Sequence, residues 1–207
     1  MSNNVITICR QYCSGGKEIG KALADTLGYE FYDNELISLA AKEAGYPEST
    51  FEKVDEVPTN SLLYSLVLGS YGANGVGAMP DNDKLFGIQS DIIRNAAKKG
   101  SCVIIGRCAD YVLREEERLI RVFLRADMDF RVERYKKTVE SADTKNPEAV
   151  LRKTDKKRAA YHRFYSGEEW DDMMNYDIVI NTAKTGIEGA VKLIKEYVEE
   201  FNKVKPK

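Results

Sequence analysis

Apolar residues in this chain follow two rhythms that alternate. Short β-branched runs at 5–9, 29–32, 102–105, 120–124 and 177–180 predict strands. Longer stretches with helical spacing lie between them, at about 17–27, 34–44, 83–98, 128–140, 147–165 and 186–202. The resulting order, β-α-β-α(insert)α-β-α-β-α-α-β-α, predicts an α/β fold. Its sheet is parallel, with about five strands, and right-handed crossovers place helices on both faces. Ligands of such sheets bind beyond the carboxyl ends of the strands. The turns after Cys9, Tyr32 and Ile105 all fall at that edge.

The rhythm breaks between about 47 and 83. This stretch holds Pro58, Pro80 and, over 69–78, four glycines in ten residues. Such a run is either a mobile loop or a loop that orders over a substrate. The run 62–68 is more apolar than a mobile insertion needs to be, so it either packs on the core or forms a subunit contact, with a homodimer as the expectation. A chain of 207 residues suits one domain. We read a core at 1–46 and 84–207, an acceptor-side helical insertion at about 47–83 and a lid at about 141–168.

Composition narrows the class. Hydrophobic content of 43%, charged content of 31% and a net charge of −2 are ordinary for a globular protein and give no sign of bulk nucleic-acid binding. Met1-Ser2-Asn3-Asn4 does not open a leader, and no apolar run approaches the roughly 18 residues that span a bilayer. A cytoplasmic protein without a membrane partner is expected. The four cysteines, Cys9, Cys13, Cys102 and Cys108, have neither metal-ligand spacing nor disulfide density, so no resident metal is expected on them. Cys9 and Cys102 read as small buried hydrophobes, and Cys13 and Cys108 fall in the candidate turns.

The chemistry concentrates in Ser14-Gly15-Gly16-Lys17, between the first strand and the first helix. Backbone N–H groups of such a turn, the helix dipole and an ammonium converge on one volume that suits a polyphosphate. Set against G-x-x-x-x-G-K-[ST], Gly16 and Lys17 fit. Gln11 stands where the first glycine should be, and Glu18 where the Mg²⁺-binding hydroxyl should be. Phosphoryl transfer needs positive charge around the moving group, so arginines should converge too. Arg107 follows the turn residue Gly106 at a strand end. On the helix at 147–165, Asp155, Arg158 and His162 share one face, flanked by Arg152 and Arg163. That basic run is either a solvated face or a lid, and a lone histidine on it is expected at the surface. Arg131 and Arg134 either decorate a helix surface or frame a nucleotide. Asp33 either orients an acceptor or helps hold Mg²⁺ through water, or it caps the helix at 34–44. Trp170 reads as a packing residue.

Together with Phe31-Tyr32-Asp33-Asn34, Val103-Ile104-Ile105-Gly106-Arg107, the helix from Asp155 to Phe164 and Tyr176-Asp177-Ile178-Val179-Ile180, this turn resembles the cytidylate kinase-like family. That family is a divergent branch of the P-loop nucleoside monophosphate kinases, and the resemblance covers most of the chain. It implies a P-loop nucleoside-triphosphate-hydrolase-like fold, ATP with Mg²⁺ as cofactors, and phosphoryl transfer from ATP to a nucleoside monophosphate, CMP or dCMP first. Ser14, Gly15, Gly16, Lys17 and Glu18 would cradle ATP, with looser matches at Arg131 and Arg134. Arg107 would hold the acceptor phosphate, Asp155 and Arg158 would recognise the cytosine or its nucleotide, and the lid arginines Arg152 and Arg163 would neutralise the transferred group; Asp33 and Arg152 are further candidates for binding the substrate.

Three departures qualify this. True cytidylate kinases carry Asp where this chain has Ile105, and a serine and an arginine after the second strand, where it has Asn34 and no arginine before Lys42. Glu18 either binds the metal directly or points away while Ser14 or a water substitutes. Two rival expectations follow: a kinase of another small metabolite, or a nucleotide-binding regulatory module without catalysis.

Overall fold

Five short strands pair in parallel in a computed structural model that describes residues 3–33, 81–138 and 145–204. They are β1 (Val5–Arg10), β2 (Glu30–Tyr32), β3 (Cys102–Ile105), β4 (Leu119–Arg125) and β5 (Ile178–Asn181), in the order β2-β3-β1-β4-β5. β1 is central, with Ile6 opposite Val103 on one side and Ile120 on the other. The helices are α1 (Gly16–Leu27), α2 (Asp81–Lys99), α3 (Ala109–Val112), α4 (Met128–Thr138), α5 (Pro147–Ser166) and α6 (Thr182–Phe201). The strand and helix order expected from the apolar rhythm therefore holds wherever the chain is described. The expected helix at 34–44 and the runs 62–68 and 69–78 lie outside those residues.

The alternation of side chains along β1 builds two cores. Ile6 and Ile8 face α1 and α6 and pack with Ile19, Leu23, Val122 and Ile194. Val5 faces the other way, with Ile104, Ile93 and Leu113. A sheet covered on both faces must be apolar on both, which is why β1 and β3 read as continuous apolar runs. Each fully buried Ile or Leu here stabilises by about 1.5–3 kcal/mol. Trp170 is buried edge-on to Phe123, at 5.1 Å between ring centroids, in the packing role expected for it.

The two edges of the sheet differ in kind. At the amino edge, Arg118 Nε donates to Asn4 Oδ1 at 2.7 Å and its Nη2 to Asn202 Oδ1 at 2.6 Å, fastening the chain's two ends together. Its guanidinium also covers the Phe201 ring. At the carboxyl edge the elements converge on open space.

Candidate active site

β1 runs out at Arg10, and the chain turns into α1 through a loop held by its own polar groups. Gln11, at the position expected for glycine, anchors that loop. Its side chain accepts the Ala126 N–H at 3.0 Å, its own N–H donates to Leu124, and its carbonyl accepts both the N–H and the hydroxyl of Ser14. Ser14 is fully buried with its hydroxyl turned inward at 2.8 Å, so its hydroxyl serves the loop. Thr182 ties the same residue to α6 by donating to the Ser14 carbonyl at 2.8 Å. Gly15 takes φ 89°, and a Cβ there would lie 2.3 Å from Ile187 Cδ1; only glycine fits between loop and α6. The first turn of α1 then presents its N–H groups and Lys17 to the space above.

An ion pair and an arginine hydrogen bond support the loop from below. Arg131 on α4 pairs with Asp155 on α5, and between them they hold both backbone groups of one residue: the Tyr12 N–H donates to Asp155 Oδ1 at 2.7 Å, and Arg131 Nε donates to the Tyr12 carbonyl at 2.8 Å. One turn on, Arg158 donates to the Arg10 carbonyl at 3.1 Å, with its guanidinium 5.3 Å from the Tyr12 ring centroid. The face shared by Asp155, Arg158 and His162 is real, and it grips the loop between β1 and α1 and the turn after β3.

That turn is Gly106-Arg107-Cys108, all three in the left-handed region at φ 68°, 57° and 53°. Two consecutive non-glycine residues there are strained, at roughly 1–2 kcal/mol each. His162, expected at the surface, is buried under the turn with its Nε2 2.7 Å from Asp110 Oδ2. The sequence shows charged neighbours on α5; the helix turns this position inward. Burial works against a charge on His162, but the hydrogen bond and charge of Asp110, with the Glu168 carbonyl, outweigh it and raise the imidazole pKa. The stabilisation from this pair is thus complete below the unfolded value of about 6.5 and fades as pH rises through the higher folded value. Melting followed from about pH 5.5 to 9 should show a declining alkaline limb that His162→Gln flattens. An unchanged limb in that variant would remove His162 as its source.

Above these supports lies a cavity of about 410 Å³, within the range of small-molecule sites, roughly 300–1,000 Å³. Lys17 Nζ reaches across it to Asp33 Oδ2 at 2.9 Å, with the lysine mostly exposed and the aspartate buried at the end of β2. Glu18 also faces the cavity and is paired with Arg134 from α4. Cys13 lines the wall; burial pushes its thiol pKa up despite three nearby arginines. Of the candidate residues, the structure brings Gly15, Gly16, Lys17, Glu18, Asp33, Arg134 and Arg158 to this one space. Arg107 lies in an adjoining small cleft with Arg158 and His162. Ser14, Arg131 and Asp155 sit in the supporting layer. Arg152 and Arg163 are turned outward, in exposed pairs with Glu148 and Glu169. Arg10 lines both spaces and was no candidate from its sequence position.

Comparisons with known proteins bear on the family and the fold. The family model described as the cytidylate kinase-like family matches residues 5–184. A cytidylate kinase from Pyrococcus horikoshii is 26% identical over 208 residues, covering 97% of this chain and 91% of its own. Among solved structures, an uncharacterized protein from Eubacterium ventriosum is similar at TM-score 0.70 and 26% identity, over 95% of this chain and 98% of that one. A shikimate kinase from Acinetobacter baumannii matches at TM-score 0.54 and 18% identity, over 98% of this chain and 96% of its own, which shows the fold of the P-loop kinases. Among the described residues no helix is long and apolar enough to cross a membrane.

Proposed function

Because the chain belongs to the cytidylate kinase-like family, we propose that it moves the γ-phosphoryl group of Mg·ATP to a nucleoside monophosphate, with CMP or dCMP as first acceptors. Kinase-family membership makes it a phosphotransferase; the acceptor is the finer step. The observation that carries the reading is the Lys17–Asp33 contact at 2.9 Å. A cation on the helix that would seat the donor's phosphates meets a buried carboxylate at the end of the neighbouring β2. Donor and acceptor sides thus share one cavity.

Transfer breaks the bond between the γ-phosphorus and the β–γ bridging oxygen, and forms one between that phosphorus and an acceptor phosphate oxygen. The α1 N–H groups and Lys17 would hold the β- and γ-phosphates, Lys17 following the group as it moves. Arg134 would offset charge on the donor side and Arg107 on the acceptor side. The hard oxygen donors that Mg²⁺ prefers are present in Glu18 and Asp33, which both line the cavity and would hold the ion directly or through water. When bound, Mg²⁺ supplies charge neutralisation on the phosphate oxygens. Ser14 is less suited, its hydroxyl being committed to Gln11.

A panel of nucleoside monophosphates in an ADP-release assay checks the acceptor. CMP and dCMP should give turnover at least about tenfold above the purine nucleotides, the scale of a few well-placed polar contacts to the base. One observation favours a second reading, in which the acceptor is another small phosphorylated or hydroxylated metabolite: Ile105 faces the cavity where true cytidylate kinases carry an aspartate. No ADP with any nucleoside monophosphate, and turnover with such a metabolite, would replace the first reading by the second.

A further inference from the structure

Arg10 is the last residue of β1, opposite Leu124 of β4, but its side chain leans the other way. Its stem crosses the start of α1, where a Cβ on Gly16 would lie 2.7 Å from Arg10 Cγ. Its head rests on the turn after β3, where a Cβ on Gly106 would lie 2.2 Å from Arg10 Nη1 and 2.9 Å from Cζ. The bare Cα of Gly106 is therefore the floor on which the guanidinium sits, and φ 68° at the same residue sets the turn that presents Arg107.

This lean has a direction in the sheet. With the order β2-β3-β1-β4-β5, moving from β1 toward β3 is moving toward β2 and Asp33, away from the β4 side from which Arg134 reaches the loop. The guanidinium lines the main cavity and also the small cleft that Arg107 and Arg158 share. Among the described residues, the main cavity is lined by four cationic side chains, Arg10, Lys17, Arg134 and Arg158, and two carboxylates, Glu18 and Asp33. A lining of this composition suits anionic ligands, and Arg10 is the cation of this set that lies over the turn after β3.

We infer that Arg10 is a binding residue for the anionic group of the acceptor, a phosphate dianion taken across the main cavity from Lys17. The inference rests on the kinase reading above and extends it to a residue just ahead of the phosphate loop. A guanidinium offers two parallel N–H donors to two phosphate oxygens, a geometry that lysine cannot reproduce. Its backbone is fixed by the Arg158 contact to its carbonyl, and its stem by Gly16, so the fork is held in place before the ligand arrives.

Inorganic phosphate binding to the full-length chain tests this, measured by calorimetry with the β,γ-imido analogue of ATP already saturating the donor side. The wild type should bind phosphate in the millimolar range. Arg10→Gln should weaken phosphate at least tenfold and change the affinity for the ATP analogue less than twofold, while Arg134→Gln should do the reverse. Arg10→Lys, which keeps charge and bulk, should recover only part of the loss and covers the case in which Arg10→Gln does not fold. Unchanged phosphate binding in the Arg10 variants, equal weakening of phosphate and analogue, or no phosphate binding by the wild type would each overturn the inference. The measurement needs no turnover, so it fails independently of the nucleoside monophosphate assay.

Discussion

Lys17→Met should lower ADP formation by about 10²–10³-fold, the usual cost of removing one preorganised charge from a transition state. The argument is geometric. Lys17 is the cation at the start of α1 that reaches across the cavity, and its ammonium lies 2.9 Å from the carboxylate at the opposite wall. Methionine keeps the length of the stem and removes only the charge. The lysine side chain is 60% exposed but Asp33 is buried and loses this cation, so the fold should lose about 1–3 kcal/mol and the protein should stay folded under assay conditions. Lys17→Arg keeps the charge but spreads it over a wider planar group, and should recover only part of the rate. Steady-state kinetics should place the loss in kcat more than in the KM for ATP, since the α1 N–H groups continue to bind the phosphates. A wild-type rate in Lys17→Met would sink the catalytic assignment.

Much of this site could be read in the order of residues along the chain, and the reason is local. A strand, a glycine-rich turn and a helix fix where Gly16 and Lys17 must point, because backbone geometry alone aims them. The turn after β3 places Arg107 in the same way, but its burial in the adjoining cleft is not visible in the spacing. Residues whose roles depend on a distant partner were not legible in this way. Gln11 departs from the glycine pattern and looks like a defect until Ala126, on another strand's exit, is seen donating to it. His162 sits among charged neighbours and looks exposed; only the approach of α3 shows that it is buried against Asp110. Arg10 gives no signal by spacing, since its destination, Gly106, is nearly a hundred residues away. Helix faces, as with Asp155 and Arg158, show which residues act together, but the object they act on is set by tertiary packing.

Asp155 is the residue for which this distinction has the largest consequence. The family resemblance assigns it to the acceptor's base, whereas in the structure Oδ1 accepts from the Tyr12 N–H and Oδ2 meets Arg131. Arg131 is 3% exposed, so Asp155→Ala leaves a buried guanidinium without its anion, and breaking a buried pair on one side costs about 3–5 kcal/mol. For a chain of this size that corresponds to a melting temperature lower by roughly 10 °C. Activity should fall as well, because the Tyr12 backbone that Arg131 and Asp155 hold shapes the loop between β1 and α1. Replacing both partners by apolar residues, Arg131→Met with Asp155→Leu, should recover most of the stability, since no buried charge is then left behind. It should not recover the rate, because nothing then grips the Tyr12 backbone. A base-recognition role makes the opposite forecast: Asp155→Asn would raise the KM for the nucleotide acceptor and leave the melting temperature where it was. Melting curves and acceptor KM values for the three variants decide between a residue that builds the loop and one that reads the substrate.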